Sequence, residues 1–100
     1  MEQKHYKEAI AEFTRSLQTN PSNFDSLFYR AVAWLDFSQA QKCVDDLQLL
    51  LQQCPDYRKT CFIVLSIAYR RVGDFLGSIR TLTKALQKYP RYVEALIARG

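Results

Sequence analysis

The side chains best suited to chemistry in this sequence are a single histidine and a pair of adjacent aspartates. His5 lies in a polar stretch, and no serine or cysteine motif stands beside it to form a nucleophile–base pair. Asp45 and Asp46 are direct neighbours, and neighbouring side chains on a helix point about 100° apart. The two carboxylates are therefore poorly placed to share one site. From this inventory we expect a protein that is not an enzyme.

The cysteines and glycines likewise predict no cofactor. Cys43, Cys54 and Cys61 form no CxxC pair, and an odd number of cysteines does not make a disulfide framework. We interpret Cys43 as a small core side chain and all three as reduced thiols. The chain has three glycines, none in a phosphate-binding loop, and no metal-ligand spacing appears. We expect neither a metal nor another cofactor.

The bulk composition indicates one folded unit with a modest positive charge. The chain has 48% hydrophobic residues and a net charge of +4. Its basic residues are dispersed, with Arg70 and Arg71 as the densest cluster, which disfavours nucleic acid as a partner. No apolar run approaches the roughly 18 residues of a membrane span, and the first residues lack the apolar core of a signal peptide. We expect no membrane contact and a cytoplasmic location, either free or associated with the cytoskeleton or a cilium.

Apolar residues at helical spacing organise the rest of the chain. Residues 59–90 carry two such runs, and between them Gly73 suits the left-handed end of a helix while Asp74 suits the cap of the next. This segment predicts a helical hairpin. Further helices are predicted over residues 6–18, 25–37 and 39–53 and from about Tyr92, with Ser22 or Asn23 as a cap. The turn at 37–39 lacks a Gly-Asp pair, so we expect it to be tighter or less regular, and Ser38 is a candidate cap for the following helix.

The helical runs recur with a fixed period. Pro21, Pro55 and Pro90 each close an apolar run, and they are 34 and 35 residues apart. A helix–turn–helix unit of about 34 residues is the signature of the tetratricopeptide (TPR) repeat, which this chain resembles from end to end. The extra residue of the second interval is expected in the loop at 56–58. The residues in the family's slots are Ala9, Phe13, Ser16 and Pro21; Leu27, Arg30, Ala31, Trp34, Cys43, Leu47, Leu50 and Pro55; Phe62, Leu65, Ser66, Tyr69, Ser78, Leu82, Ala85 and Pro90; and the start of a further copy at Leu96–Gly100.

The resemblance implies an all-α fold, a right-handed superhelical array of antiparallel helix pairs. Residues 1–23 would be the second half of one repeat, 24–58 and 59–92 two full repeats, and 93–100 the start of another. Repeats of a solenoid bury their faces against their neighbours. We therefore expect either a segment of a longer array or ends that are covered by another chain or by self-association, for example between the faces of Phe13 and Leu96.

In the TPR family the first helices of successive repeats line a concave groove that holds peptides or helices. Phe28, Val32, Ile63, Ile67 and Ile97 are apolar where a polar peptide binder would carry Asn, Lys or Arg. If exposed, these five residues form a contiguous patch, with two arginines for acidic groups at one edge. The alternative is that the superhelix or another part of the chain half-buries them. The predicted groove residues are Asp25, Phe28, Val32, Leu35, Asp36, Thr60, Ile63, Ile67, Arg70, Arg71, Glu94 and Ile97.

These residues predict a protein-interaction scaffold that binds an amphipathic helix or an apolar peptide. One TPR subclass grips the acidic C-terminal tail of chaperones through an Asn, Lys and Arg clamp. Here Tyr29, Thr60 and Val64 stand at the clamp positions, which disfavours a chaperone tail as the partner. The alternatives are an architectural or self-associating solenoid segment and, less favoured, an RNA-binding helical-repeat module.

Overall fold

The computed structural model describes residues 3–92, which form five α-helices and no strand. The all-α prediction is confirmed over this range, and the observed helices agree with the predicted ones to within a few residues. The helix predicted to start near Tyr92 lies outside the described residues. The helices are α1 (Gln3–Thr19), α2 (Phe24–Asp36), α3 (Ala40–Gln53), α4 (Thr60–Arg71) and α5 (Phe75–Lys88).

Each helix packs against the next one along the chain, because the connections between them are short. α2 also contacts α4 directly. Within the described part of the chain, the backbones of α3 and α5 do not come into contact. This arrangement leaves two surfaces of interest, one where α2 and α4 lie side by side and one in the gap between α3 and α5.

The hairpin predicted at residues 59–90 is confirmed, including its turn. Gly73 has a φ of 87°, in the left-handed region that glycine adopts without a Cβ penalty. The amide of Asp74 donates to the carbonyl of Tyr69 at 2.8 Å, and that of Gly73 donates to Arg70 at 3.0 Å. The Asp74 carboxylate then accepts from the Gly77 amide at 2.8 Å, which caps α5.

The turn between α2 and α3 has the same geometry, so the prediction of a tighter or less regular turn is wrong. Ser38 has a φ of 65°. The amide of Gln39 donates to the carbonyl of Trp34 at 2.8 Å, and that of Ser38 donates to the carbonyl of Leu35 at 3.1 Å, which is the pattern of the later turn. The expected cap by Ser38 is also wrong, since Gln39 is the N-cap residue and makes no side-chain cap hydrogen bond. Backbone hydrogen bonds close α2 and α4 in the same way, although a non-glycine residue at Ser38 costs about 1–2 kcal/mol.

The helix ends before the three prolines also repeat one hydrogen-bond pattern. At each end, the amide of one residue donates to the carbonyl four residues earlier and ends the helix. The amide three residues further along then donates to the carbonyl of that same residue. The second interval is one residue longer, and the extra residue lies in the 54–59 connection, as predicted. The pairs are Asn20–Ser16 (2.9 Å), Cys54–Leu50 (2.7 Å) and Tyr89–Ala85 (2.7 Å), then Asn23–Asn20 (3.0 Å), Tyr57–Cys54 (3.2 Å) and Tyr92–Tyr89 (3.0 Å).

The main hydrophobic core lies where α3 packs between α2 and α4. Leu27, Leu47 and Leu50 are at most 2% exposed, and Cys43 and Cys61 are completely buried beside them. The interpretation of Cys43 as a small core side chain is confirmed. A smaller cluster around Phe62, Leu82 and Ala85 joins α5 to α4. Asn23 caps α2 by accepting from the Ser26 amide at 3.2 Å, which agrees with the sequence.

Candidate functional site

The surface formed by α2 and α4 carries three aliphatic side chains from the predicted groove. Val32 on α2 and Ile63 and Ile67 on α4 are each half-buried. Val32 and Ile67 pack partly on the main core, while Ile63 packs on the smaller cluster. We call this surface, defined by Val32, Ile63 and Ile67, the α2–α4 face. It is the part of the predicted groove that presents apolar atoms to solvent.

Two other apolar residues of the predicted groove do not contribute to that surface. Phe28 is 6% exposed and Leu35 is 7% exposed, and both belong to the main core. The Phe28 ring packs against the Tyr57 ring with centroids 5.9 Å apart, and the Arg58 guanidinium lies 5.3 Å from its centre. The exposed apolar patch is therefore narrower than predicted, because the 54–59 connection folds over one end of α2.

The polar residues of the predicted groove lie around this face. Asp25, Asp36, Thr60 and Arg70 are exposed. Arg71 is exposed too, but its guanidinium donates to the carbonyl of Leu35 at 3.2 Å. That carbonyl is at the C-terminal end of α2, where cations are favourable. Arg71 thus joins α4 to α2. Its guanidinium is already engaged within the chain, whereas the prediction left it free to bind acidic groups of a partner.

The last two predicted groove residues, Glu94 and Ile97, lie outside the described residues. The predicted self-association contact between the faces of Phe13 and Leu96 involves one more such residue, because Leu96 also lies outside the described residues. Phe13 itself is half-buried and stacks on Tyr29, with ring centroids 6.1 Å apart.

A cation–aromatic cluster that the sequence did not predict borders the α2–α4 face. The Arg58 guanidinium lies 5.7 Å from the Tyr29 ring centre and 5.0 Å from that of Tyr57, and it donates to the Tyr29 hydroxyl at 3.4 Å. The Tyr57 hydroxyl donates to the Asp25 carboxylate. Burial, together with this hydrogen bond, raises the pKa of Tyr57 above its usual range. The partners are about 30 residues apart in the chain, so periodicity within one helix gives no signal for them.

The two adjacent aspartates have separate roles, as their angular separation predicted. Asp45 is exposed and accepts from the Gln41 amide at 3.1 Å. Asp46 is 7% exposed and accepts two hydrogen bonds from the Arg30 guanidinium, at 2.8 and 2.7 Å. Arg30 also donates to the Thr14 hydroxyl at 3.3 Å, so one guanidinium ties α1, α2 and α3 together. The Arg30–Asp46 ion pair is therefore a contact between helices, and the two aspartates do not share a site.

Cys43 and Cys61 are in buried environments that favour the neutral thiol. Burial raises the pKa of Cys43 to about 12 and that of Cys61 to about 11. Since the thiolate is the reactive form, both side chains are poor nucleophiles in the folded protein. Among residues 3–92, no group of three or more His, Cys, Asp and Glu side chains is arranged to hold a metal ion.

No family model matches the chain, and no curated protein matches it. The resemblance to TPR proteins therefore depends on the residues in the family's slots and on the backbone geometry that recurs at 34 and 35 residues. Of the helices in the described part of the chain, none is both long and apolar enough to cross a membrane.

Proposed function

We propose that this chain is a protein-binding segment of TPR type, and that the α2–α4 face holds an amphipathic helix or an apolar segment of a partner. The repeated turns and helix ends support the repeat assignment, and with it the right-handed array of helix pairs. The observation that carries the proposal is that Val32, Ile63 and Ile67, on two helices in direct contact, are only partly buried.

The energetic argument rests on the apolar area still open to water. Full burial of a Val or Ile side chain contributes about 1.5–3 kcal/mol, so covering one that is already largely buried contributes less than about 1 kcal/mol. Three such residues favour a partner with two or three apolar side chains on one side. Ordering and desolvation costs subtract from this gain, which predicts weak to moderate affinity.

The polar residues around the face favour a partner other than an acidic chaperone tail. A carboxylate clamp needs free amide and cationic side chains. Instead the Tyr29 hydroxyl accepts a hydrogen bond from Arg58, and Thr60 and Val64 carry no charge. Specificity on this face then comes from the shape of the apolar contact.

The experiment is a selection from a displayed library of helical peptides on the immobilised chain, followed by affinity measurement by fluorescence anisotropy. The test variant is Ile67→Arg, which places a charge in the middle of the α2–α4 face. The matched control is Leu49→Arg, at a leucine of α3 that is 43% exposed and away from this face. Circular dichroism verifies that both variants keep their helix content.

We expect Ile67→Arg to lose at least tenfold in affinity for the selected peptides, which corresponds to about 1.4 kcal/mol, and Leu49→Arg to bind as the unchanged chain does. Selected peptides that bind both variants equally would show that the α2–α4 face is not the site.

A second candidate function is self-association. It is favoured by an exposed apolar surface on α5, the last helix of the described residues. Phe75 is 63% exposed, Leu76 is 70% exposed and Ile79 is 49% exposed, all on α5. Apolar patches of this kind mark contacts, and a head-to-tail contact between copies would be heterologous and open-ended. Light scattering over a concentration series tests this: self-association predicts a mass that rises with concentration and returns to the monomer value in Leu76→Lys. A constant monomer mass excludes it.

A further inference from the structure

A groove lies between α3 and α5 and crosses α4, with a cavity volume of about 460 Å³. Its floor includes Leu51, Phe62 and Leu65. At 3.6 residues per turn, Phe62 and Leu65 lie on the side of α4 opposite Ile63 and Ile67. The α3–α5 groove is therefore a separate surface from the α2–α4 face. Its volume is at the lower end of the range for ligand pockets and suits one or two inserted side chains.

The first half of the chain has an equivalent gap, between α1 and α3 across α2. The recurring hydrogen bonds show which residues of the two halves correspond. Asn20 and Asn23 correspond to residues 34 positions later, and residues of α2 and α3 correspond to residues 35 positions later, because the 54–59 connection holds the extra residue. By this register Arg30 corresponds to Leu65 and Asp46 to Thr81. In the first half Arg30 crosses the gap, with two bonds to Asp46 and a third to Thr14. Arg30 thus fills the part of that gap that corresponds to the α3–α5 groove, while a separate cavity of about 360 Å³, lined by Lys7, Trp34 and Lys42 among others, remains in the same gap.

Within residues 3–92, no side chain of the second half makes an equivalent bridge between α3, α4 and α5. Leu65 replaces the arginine and is too short and apolar to make the bridge. The Thr81 hydroxyl donates to the carbonyl of Gly77 on its own helix at 2.8 Å. The Gln48 amide donates to the Tyr69 hydroxyl at the edge of the groove. The position that a guanidinium fills in one half is left as an open, apolar-floored groove in the other.

The rim of the α3–α5 groove is positively charged. Lys84 lines it from α5, is exposed, and makes no ion pair within residues 3–92. Lys88 lies one turn further along and already binds the Asp56 carboxylate and the carbonyl of Pro55. The opposite rim, on α3, carries uncharged glutamines such as Gln52. The unbalanced charge is therefore the ammonium group of Lys84, which an acidic group complements.

We infer that the α3–α5 groove is a docking site for an acidic amphipathic segment of a partner protein. A bulky apolar side chain of that segment enters over Leu51, Phe62 and Leu65, in the space that Arg30 fills in the first half. A neighbouring carboxylate pairs with Lys84. This site is independent of the α2–α4 face, because the two lie on opposite sides of α4.

The test uses a defined probe, a fluorescein-labelled 14-residue helical peptide with one phenylalanine and one leucine a turn apart and glutamates on its other positions. One control peptide has lysines in place of the glutamates, and another has glutamines in place of the two apolar residues. Binding is followed by anisotropy, and its position by amide chemical shifts in the ¹⁵N-labelled chain. We expect the acidic probe alone to bind, with shifts at Leu51, Phe62 and Thr81.

Two variants of the chain separate charge from shape. Lys84→Glu is expected to weaken binding of the acidic probe about five- to tenfold, since an attraction becomes a repulsion at the rim. The control Arg15→Glu makes the same change of charge on α1 and should alter binding less than about twofold. The double variant Leu65→Arg/Thr81→Asp recreates the Arg30–Asp46 pair in the second half and is expected to block the groove.

The outcomes distinguish this site from the proposed function. Ile67→Arg should bind the acidic probe normally, whatever it does to partners of the α2–α4 face. The inference is overturned if the lysine peptide binds as well as the acidic one, if Lys84→Glu binds as tightly as Arg15→Glu, or if the amide shifts cluster at Ile63 and Ile67. Because Lys84 is exposed, its variant is expected to fold even if the double variant does not.

Discussion

Replacing Asp46 by alanine removes one half of the buried ion pair that joins the first three helices. The Arg30 guanidinium makes two bonds to this carboxylate, at 2.8 and 2.7 Å. The two side chains are only 20% and 10% exposed. Without Asp46 the guanidinium keeps a single weak partner, the Thr14 hydroxyl at 3.3 Å. The variant therefore leaves a largely buried positive charge without its counter-ion.

The expected loss follows from that unpaired charge. Breaking a buried pair by removing one partner costs about 3–5 kcal/mol. Because one-fifth of the Arg30 side chain still reaches solvent, we expect the lower end, about 3 kcal/mol. A domain of this size has a total stability of about 5–15 kcal/mol, so the loss is a large share of it. In thermal unfolding it corresponds to a decrease of about 15 °C in Tm.

The assay is thermal and urea unfolding followed by circular dichroism at 222 nm. The matched control is Asp45→Ala, the exposed neighbour that accepts one hydrogen bond from Gln41, and it should stay within about 0.5 kcal/mol of the unchanged protein. The double variant Arg30→Met/Asp46→Leu removes both charges and fills the same space. We expect it to recover most of the loss, to within about 1 kcal/mol, because apolar replacements of whole buried pairs are well tolerated.

Two results would refute this reasoning. If Asp46→Ala is as stable as Asp45→Ala, the ion pair makes no net contribution to the fold. If the double variant is as unstable as the single one, the loss comes from the missing attraction and packing rather than from the unpaired guanidinium.

Four further predictions concern local features of the fold. Ser38→Gly should stabilise the protein by about 1 kcal/mol in urea unfolding, because glycine adopts the left-handed φ of 65° without a Cβ penalty; an unchanged midpoint would contradict this. Asn23→Ala should destabilise it by about 1 kcal/mol through loss of the α2 cap, and a loss below about 0.3 kcal/mol would show that the cap is dispensable. The pKa of Cys43 is raised to about 12 and that of Cys61 to about 11, above the ordinary thiol value of 9.0, so their contribution to stability is complete below about pH 9 and is lost as the pH rises towards 11–12. Urea unfolding across that range checks the sign, and a variant with alanine at both positions should show a smaller decrease. A disulfide reagent at neutral pH should label the half-buried Cys54 first and the other two only on unfolding.

Much of the helical structure was predictable because it depends on interactions within a few residues. Gly73 and Asp74 marked the hairpin turn by conformational freedom and capping, and Asn23 marked the start of α2. The turn at Ser38 was mispredicted because the prediction applied the same local residue preferences to it. Sequence preference disfavours serine in the left-handed region, but the backbone hydrogen bonds that end α2 place it there and its cost is small.

The polar contacts were not predictable, because their partners are far apart in the sequence. Arg30 and Asp46 are 16 residues apart, and Arg58 meets Tyr29 across 29 residues. No helical period relates such pairs. They depend on which helices pack together and on the path of the 54–59 connection.

The sequence by itself determined where the helices begin and end and the interval at which their pattern repeats. The tertiary structure decided which apolar residues on a predicted face are covered. Phe28 and Ile67 were assigned to the same surface, yet Phe28 is buried beneath Tyr57 and Arg58 while Ile67 is only partly buried. The tertiary structure also decided that Arg30 fills one gap between helices while the gap above Leu65 stays open. The physical reason is that periodicity places a side chain on one side of its helix, whereas burial depends on what the rest of the chain packs against that side.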